Sequence, residues 1–314
     1  MIHEARRTGD VCYPNTMHSM LSGLPNKAGV MKVSVLILTY NEEDNLPSCL
    51  SALQWCDDIV VLDSGSQDET VEIARTHGAR IITRKFDDFA SQRNWGLENG
   101  AFVNDWILHL DADEITPTEF VDALSQLQPQ PGIDAWNIPS KLIFKGRWIK
   151  HAGAYPTYQV RLGHRDRLRF VQVGHGQREN LDRRRISTFG VPYEHYSFSR
   201  GLSDWLQRHI RYARNEANLI SSANPIATPL SRQGGASAGR RRMKAITAKI
   251  PASARPFARF FFHYVYKRGF LDGRAGFVYA FMMAVYEGMV AIFLLEKWMG
   301  EYQATSSPEI DDPK

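Results

Sequence analysis

Short apolar runs that end in polar clusters recur through the first third of the chain. Val33-Ser34-Val35-Leu36-Ile37-Leu38-Thr39 is β-branched and leucine-rich, short enough for a strand buried on both faces, and it gives way to Tyr40-Asn41-Glu42-Glu43-Asp44-Asn45. A helical spacing follows through Leu46, Leu50 and Leu53. Ile59-Val60-Val61-Leu62 predicts a second strand, ending at Asp63-Ser64-Gly65-Ser66-Gln67-Asp68. Helix signals resume at Glu69 and run through Ile73 and Ala74 to a Gly78 cap. Ala79 to Thr83 predicts a third strand, Phe89 to Leu97 a helix, and Trp106 to Leu110 a fourth strand that stops at Asp111-Ala112-Asp113-Glu114.

Strands alternating with helices at this spacing predict an α/β fold with a mostly parallel central sheet and right-handed crossovers. Ligands of such sheets bind beyond the carboxyl ends of the strands. The clusters at Asn41/Glu42/Glu43, Asp63 and Asp111/Asp113 each follow a strand, so all three are expected along one edge.

The pattern then changes. Between Ile133 and Glu194 short aromatic and basic pieces, at 136–139, 142–144, 158–162 and 168–170, predict antiparallel strands. Leu202 to Ile220 reads as an amphipathic helix, and residues 222–245, with Pro225, Pro229, Gly234, Gly235 and an arginine triplet at 240–242, as a flexible linker. Residues 246–302 form an apolar helical region in which Gly276 to Leu295 carries one charge, Glu287. That stretch is long enough to span a bilayer, but Glu287 near its middle, with Tyr279 and Tyr286, argues against a simple lipid-exposed span. Packing as core helices is one option, and lying in the membrane interface with Arg255, Arg259, Lys267 and Arg268 toward phosphates is another. Residues 1–30 and 303–314 lack periodicity and are expected to be a disordered leader and tail around domain boundaries at 31–221 and 246–302; Met31 stands where a functional start would fall.

Three carboxylates within four residues are costly to bury unless something cationic sits beside them. Asp111 and Asp113, one small residue apart at a strand end, can face one site, and such hard oxygens suit Mg²⁺ or Mn²⁺, with other ligands from phosphate and water. A helix N-terminus dressed with acids, before Thr116-Pro117-Thr118-Glu119, is the simpler alternative. The rest of the composition is that of a globular protein: 314 residues, 43% hydrophobic, 23% charged, net charge +4. That charge, without a convergent basic and aromatic motif, argues against a nucleic-acid partner. Cys12, Cys49 and Cys56 form neither a disulfide framework nor a metal spacing, which suits a reducing, cytoplasmic setting, and the N-terminus has no apolar core of a secretory signal.

Taken together and in order, Val33 to Glu43, Cys56 to Asp68, Asp87 to Asn94 and Leu110 to Glu114 resemble glycosyltransferase family 2, and within it the lipopolysaccharide-core β-glycosyltransferase branch. The likeness covers residues 32 to about 220 and touches Phe270-Leu271-Asp272-Gly273. It implies a GT-A fold, a nucleotide-diphosphate sugar donor (a UDP-sugar), Mg²⁺ or Mn²⁺, and inversion at the anomeric carbon. It also implies a glycolipid or saccharide acceptor, such as a lipopolysaccharide core or polysaccharide precursor, at the inner face of a bacterial-type membrane. Carried over residue by residue, it puts Thr39, Asn41 and Glu42 or Glu43 in the nucleoside pocket and Asp63 on the base. Arg93 falls on the diphosphate, Asp111 near ribose and metal, and Asp113 on the metal. The general base is left between Glu179 and His175, because the His-Glu pair of that branch is interrupted here. A nucleotidyltransferase would instead show a glycine-rich, lysine-bearing loop after the first strand, and a non-catalytic membrane-docking scaffold would tolerate loss of a carboxylate or of Arg93; all are present.

Overall fold

The computed structural model describes residues 31–153, 155–173, 176–222 and 250–306, so the expected leader, most of the linker, the arginine triplet and His175 lie outside the described residues. A ten-stranded mixed sheet forms the body. Its first half is parallel, in the order β3 (Arg80–Thr83), β2 (Ile59–Asp63), β1 (Val33–Thr39), β4 (Trp106–Asp111). Its register sets Thr39 opposite Asp63 and Leu38 opposite Asp111, so the strand-end clusters share one edge as expected.

The alternation of side chains along β1 divides the core. Val33, Val35 and Ile37 face α1 (Leu46–Ser51), α2 (Thr70–Thr76) and α4 (Thr118–Ser125), where Leu46, Leu50, Ala74 and Phe120 are buried. Leu36 faces α3 (Phe89–Asn99) with Val60, Leu62 and Ile107. Asp88 caps α3 by accepting from Ser91 N at 2.8 Å. Gly96 lets that helix sit against the sheet, since a Cβ there would come within 2.8 Å of Leu36 Cδ2.

Beyond β4 the sheet turns antiparallel. After β5 (Glu114–Ile115), β6 (Ala135–Phe144) joins the predicted pieces at 136–139 and 142–144 into one strand. It pairs with β7 (Arg147–Trp148) and with β8 (Thr157–His164), which in turn pairs with β4. The strand expected at 168–170 begins only at Phe170. Leu168 and Arg169 belong to the turn before it, Leu168 N bonding to His164 O at 2.9 Å, and β9 (Phe170–Val173) forms a separate hairpin with β10 (Gly176–Glu179). β11 (Ile186–Thr188) and β12 (Tyr193–His195) add in parallel to β6, and β12 also pairs with β5.

α5 (Gly201–Ser222), α6 (Arg255–Phe261) and α7 (Gly273–Ser306) form a helical layer. α7 continues four residues into the segment expected as a disordered tail. The layer seats Trp205, Ala275 and Met282 on Phe144, Ile149 and Phe198 of the body. Asp272 accepts from the backbone N–H groups of His151 and Ala152, and His263 Nδ1 bonds to Ala152 O at 2.9 Å.

Candidate functional site

Two loops leaving β1 and β2 are zipped together. Asn41, at φ +52°, donates through its N–H to Ser66 Oγ and accepts from Gln67 N, both at 2.8 Å. Glu42 N donates to Thr70 Oγ1, and Glu43 accepts from Glu69 N. Asp63 closes this turn. Its Oδ1 accepts from Thr39 Oγ1 and Ser66 Oγ, and its Oδ2 from Gly65 N and Ser66 N. Four bonds fill the four lone-pair positions of a carboxylate, so in this arrangement Asp63 shapes the loop and has no acceptor left for a base.

Asp111 is flanked by two arginines. Arg93 Nη2 donates to its Oδ1 at 2.6 Å, and Arg161 Nη2 to its Oδ2 at 2.8 Å. Arg161 also donates to buried Glu114 and, at 3.3 Å, to Tyr193 Oη, while Glu114 accepts from Asp111 N at 3.0 Å. Burial alone would raise the Asp111 pKa, but Arg161 and Arg93 outweigh it and hold the group well below the usual carboxylate range. Burial pushes Glu114 upward, and Arg161 offsets this only in part. The charge compensation expected of a metal is therefore supplied to Asp111 and Glu114 by guanidinium groups. Each oxygen of Asp111 still keeps one lone-pair position.

Arg93 is 2% exposed, not a helix-surface residue. Its Nη1 is buried without a partner, and the amide oxygen of Gln177, in the orientation that satisfies both ends, accepts from its Nε at 2.5 Å. His109 lies on the same face of β4 as Asp111, ring edge-on to Phe170, with both ring nitrogens buried and unpartnered. Burial, then the charges of Arg93 and Arg161, keep it neutral.

Asp113 faces His195 across the site, Oδ2 to Nε2 at 3.4 Å, each side chain about a quarter exposed. Burial would depress His195, but Asp113 first, then Glu114 and Asp111, raise it to about 9. Arg200, a few residues on, pairs with Glu42 at 2.6 Å and donates to the carbonyls of Tyr40 and Asn41. It thereby walls a cleft of about 430 Å³ lined also by Glu43, Asp44, Gln67 and Asp68. Glu179, half-buried at the end of β10, stands outside the Arg93–Asp111–Arg161 network, on the same face of its strand as Gln177.

Residues 34–160 match the family model described as glycosyl transferase family 2. They form a glycosyl transferase family 2 domain. With its half-parallel sheet, helices on both faces and acidic strand ends, the family 2 domain has the GT-A architecture that the sequence resemblance implied. An uncharacterized glycosyltransferase of Rickettsia typhi is 30% identical over 119 residues, 37% of this chain and 40% of that protein. The lipopolysaccharide core biosynthesis glycosyltransferase LpsC of Rhizobium meliloti is 30% identical over 105 residues, 32% of this chain and 37% of that one. The chain thus matches well under half the length of these relatives. Among solved structures, glucosyl-3-phosphoglycerate synthase from Mycobacterium tuberculosis with Mn²⁺, UDP and glucosyl-3-phosphoglycerate is 19% identical. It covers 61% of this chain and 79% of that one at TM-score 0.41.

Arg200, His195 and Arg161 complete the site, yet their place in the sequence carries no motif that announces it. They reach it because β8 and β12 add across the sheet from β4, a long-range pairing invisible to local pattern.

Proposed function

We propose that the chain is an inverting, metal-dependent glycosyltransferase that moves a sugar from a nucleotide-diphosphate donor, a UDP-sugar, to a glycolipid or polysaccharide acceptor at the cytoplasmic face of a membrane. The observation that carries this reading is the convergence of Asp113, Asp111, Arg93, Arg161 and His195 beside the zipped loops at one sheet edge. The hard oxygens of Asp113 and Asp111 suit Mg²⁺ or Mn²⁺ and would hold the ion, with remaining ligands from diphosphate and water. His195, protonated beside Asp113, would stand next to them as a second positive charge. A bound cation supplies charge compensation to the departing diphosphate.

In this reading the Tyr40–Asp44 loop and the turn built by Asp63 shape the nucleoside pocket, and Arg93 presents positive charge at its base. As the bond from the anomeric carbon to the phosphate oxygen breaks, charge develops on the leaving group and is met without proton transfer. The acceptor hydroxyl forms the new bond from the opposite face and gives its proton to a general base, for which Glu179 is the candidate among the described residues.

Calorimetric titration of UDP, with and without Mn²⁺, into wild type and Asp113→Ala tests the reading. Metal-dependent binding that the substitution abolishes is the expected result. Folded protein that binds no nucleoside diphosphate would point to a docking scaffold that has kept the fold.

A further inference from the structure

The helical layer shows two unlike faces. One face of α7 is buried on α5, α6 and the body through Ala275, Ala280, Met282, Val290 and Ala291. The opposite face exposes Phe277, Phe281, Ile292 and Leu295, spaced to lie along one side of the helix, each 45–64% accessible. The connection from α6 continues this surface with Val265, Tyr266, Phe270 and Leu271, all exposed. Exposed apolar surface of this extent marks an interaction site.

The charges around it are asymmetric. Arg268 and Arg274 are exposed beside the apolar tip, and Lys267 Nζ lies 5.7 Å over the Phe262 ring. The acids near that tip face inward: Asp272 is committed to the His151 and Ala152 amides, and Glu287 faces Arg259 at 3.8 Å, while exposed Glu296 lies at the far end of the stripe beside Leu295. An apolar stripe whose tip is edged by cations complements a bilayer that carries negative headgroups.

We propose that the α6–α7 hairpin docks the protein on an anionic phospholipid surface, with α7 lying along the interface and not crossing it. This deepens the reading of a membrane-borne acceptor but does not involve the donor site. The stretch Gly269–Met299 is long and apolar enough to cross a bilayer. Crossing would nevertheless carry α5 into hydrocarbon, because α5 packs along it through Ala213 and Ala217 and sets Arg214 over the Phe293 ring at 4.9 Å. Arg208, Arg211 and Arg214 on α5 would be carried there with it, and charged side chains at the centre of a bilayer are costly unless they are paired or face water. Lying flat leaves those arginines in water and buries only the outer stripe.

Flotation of the full chain with vesicles of pure phosphatidylcholine, or of phosphatidylcholine mixed with phosphatidylglycerol, tests this. Wild type is expected to float with the anionic vesicles, about tenfold less with neutral ones, and to be released by alkaline carbonate. The double variant Leu271→Glu/Phe281→Glu should lose anionic-vesicle binding by about tenfold or more, and Arg268→Asn/Arg274→Gln should lose the anionic preference. Asparagine is chosen at 268 because that residue sits at φ +58°. Both variants should bind UDP as wild type does, which reports an intact fold and keeps this test separate from the donor-site one. Absence of flotation, flotation unaffected by the variants, or resistance to carbonate would each overturn the proposal. So would a dimer in light scattering that the same substitutions dissolve, since the face would then belong to a second copy.

Discussion

At Arg161 one side chain holds two carboxylates, Asp111 and Glu114, while itself only 4% exposed. Removing one partner of a buried ionic cluster leaves uncompensated charge, so Arg161→Ala is expected to cost about 3–5 kcal/mol, read as a lowered urea midpoint. An unchanged midpoint would mean that water replaces the guanidinium without penalty. Asp63 offers a second test. If its four internal bonds define its role, Asp63→Asn, which places an N–H against backbone N–H groups, weakens binding of UDP and of other nucleoside diphosphates alike. A change in base preference, measured by competition between UDP and GDP, would instead restore the contact to the base that the resemblance implied.

Between elements, the clip that joins the helical layer to the body carries a titratable group. His263 is 8% exposed, bonds to Ala152 O, and is held at about 4, chiefly by burial, with Arg259 and Lys267 acting in the same direction. Its folded value lies below the ordinary 6.5, so the unfolded chain takes up the proton first. The contribution to stability is therefore complete above about pH 6.5 and declines as pH falls toward 4, by at most about 3 kcal/mol. His263→Gln, which keeps a donor but cannot titrate, should show a flatter stability profile across that window in denaturant titrations. Parallel profiles for the two proteins would remove His263 as the cause. The same clip explains why Gly269 stands where it does: a Cβ there would come within 2.5 Å of His263 O and 2.9 Å of the Ala152 Cβ.

Across the whole molecule, a mixed sheet gathers the donor-site residues at one edge while a helical layer offers an apolar face elsewhere. The single acid of the apolar stretch argued from sequence against a lipid-exposed span; in the fold Glu287 turns inward toward Arg259. The basic residues expected to face phosphates divide likewise. Arg255 donates to Ile250 O, Arg259 is engaged inside, Lys267 leans on Phe262, and Arg268 is left outward, joined there by Arg274, which was not among them. UDP binding and vesicle flotation thus report two surfaces that should fail independently.

The sequence by itself determined the parallel half of the sheet and the shared edge of Thr39, Asp63 and Asp111. Buried strands read as continuous apolar runs, and their polar ends mark where the runs leave the core. It also carried the family, because four motifs recur in order within the first 114 residues. Only the tertiary structure decided what neutralises the carboxylates. The arginines come from α3 and β8, and His195 from β12, up to about eighty residues away along the chain. Ion pairing depends on distance in space, and no periodicity along a strand or helix encodes which distant strand will be its neighbour.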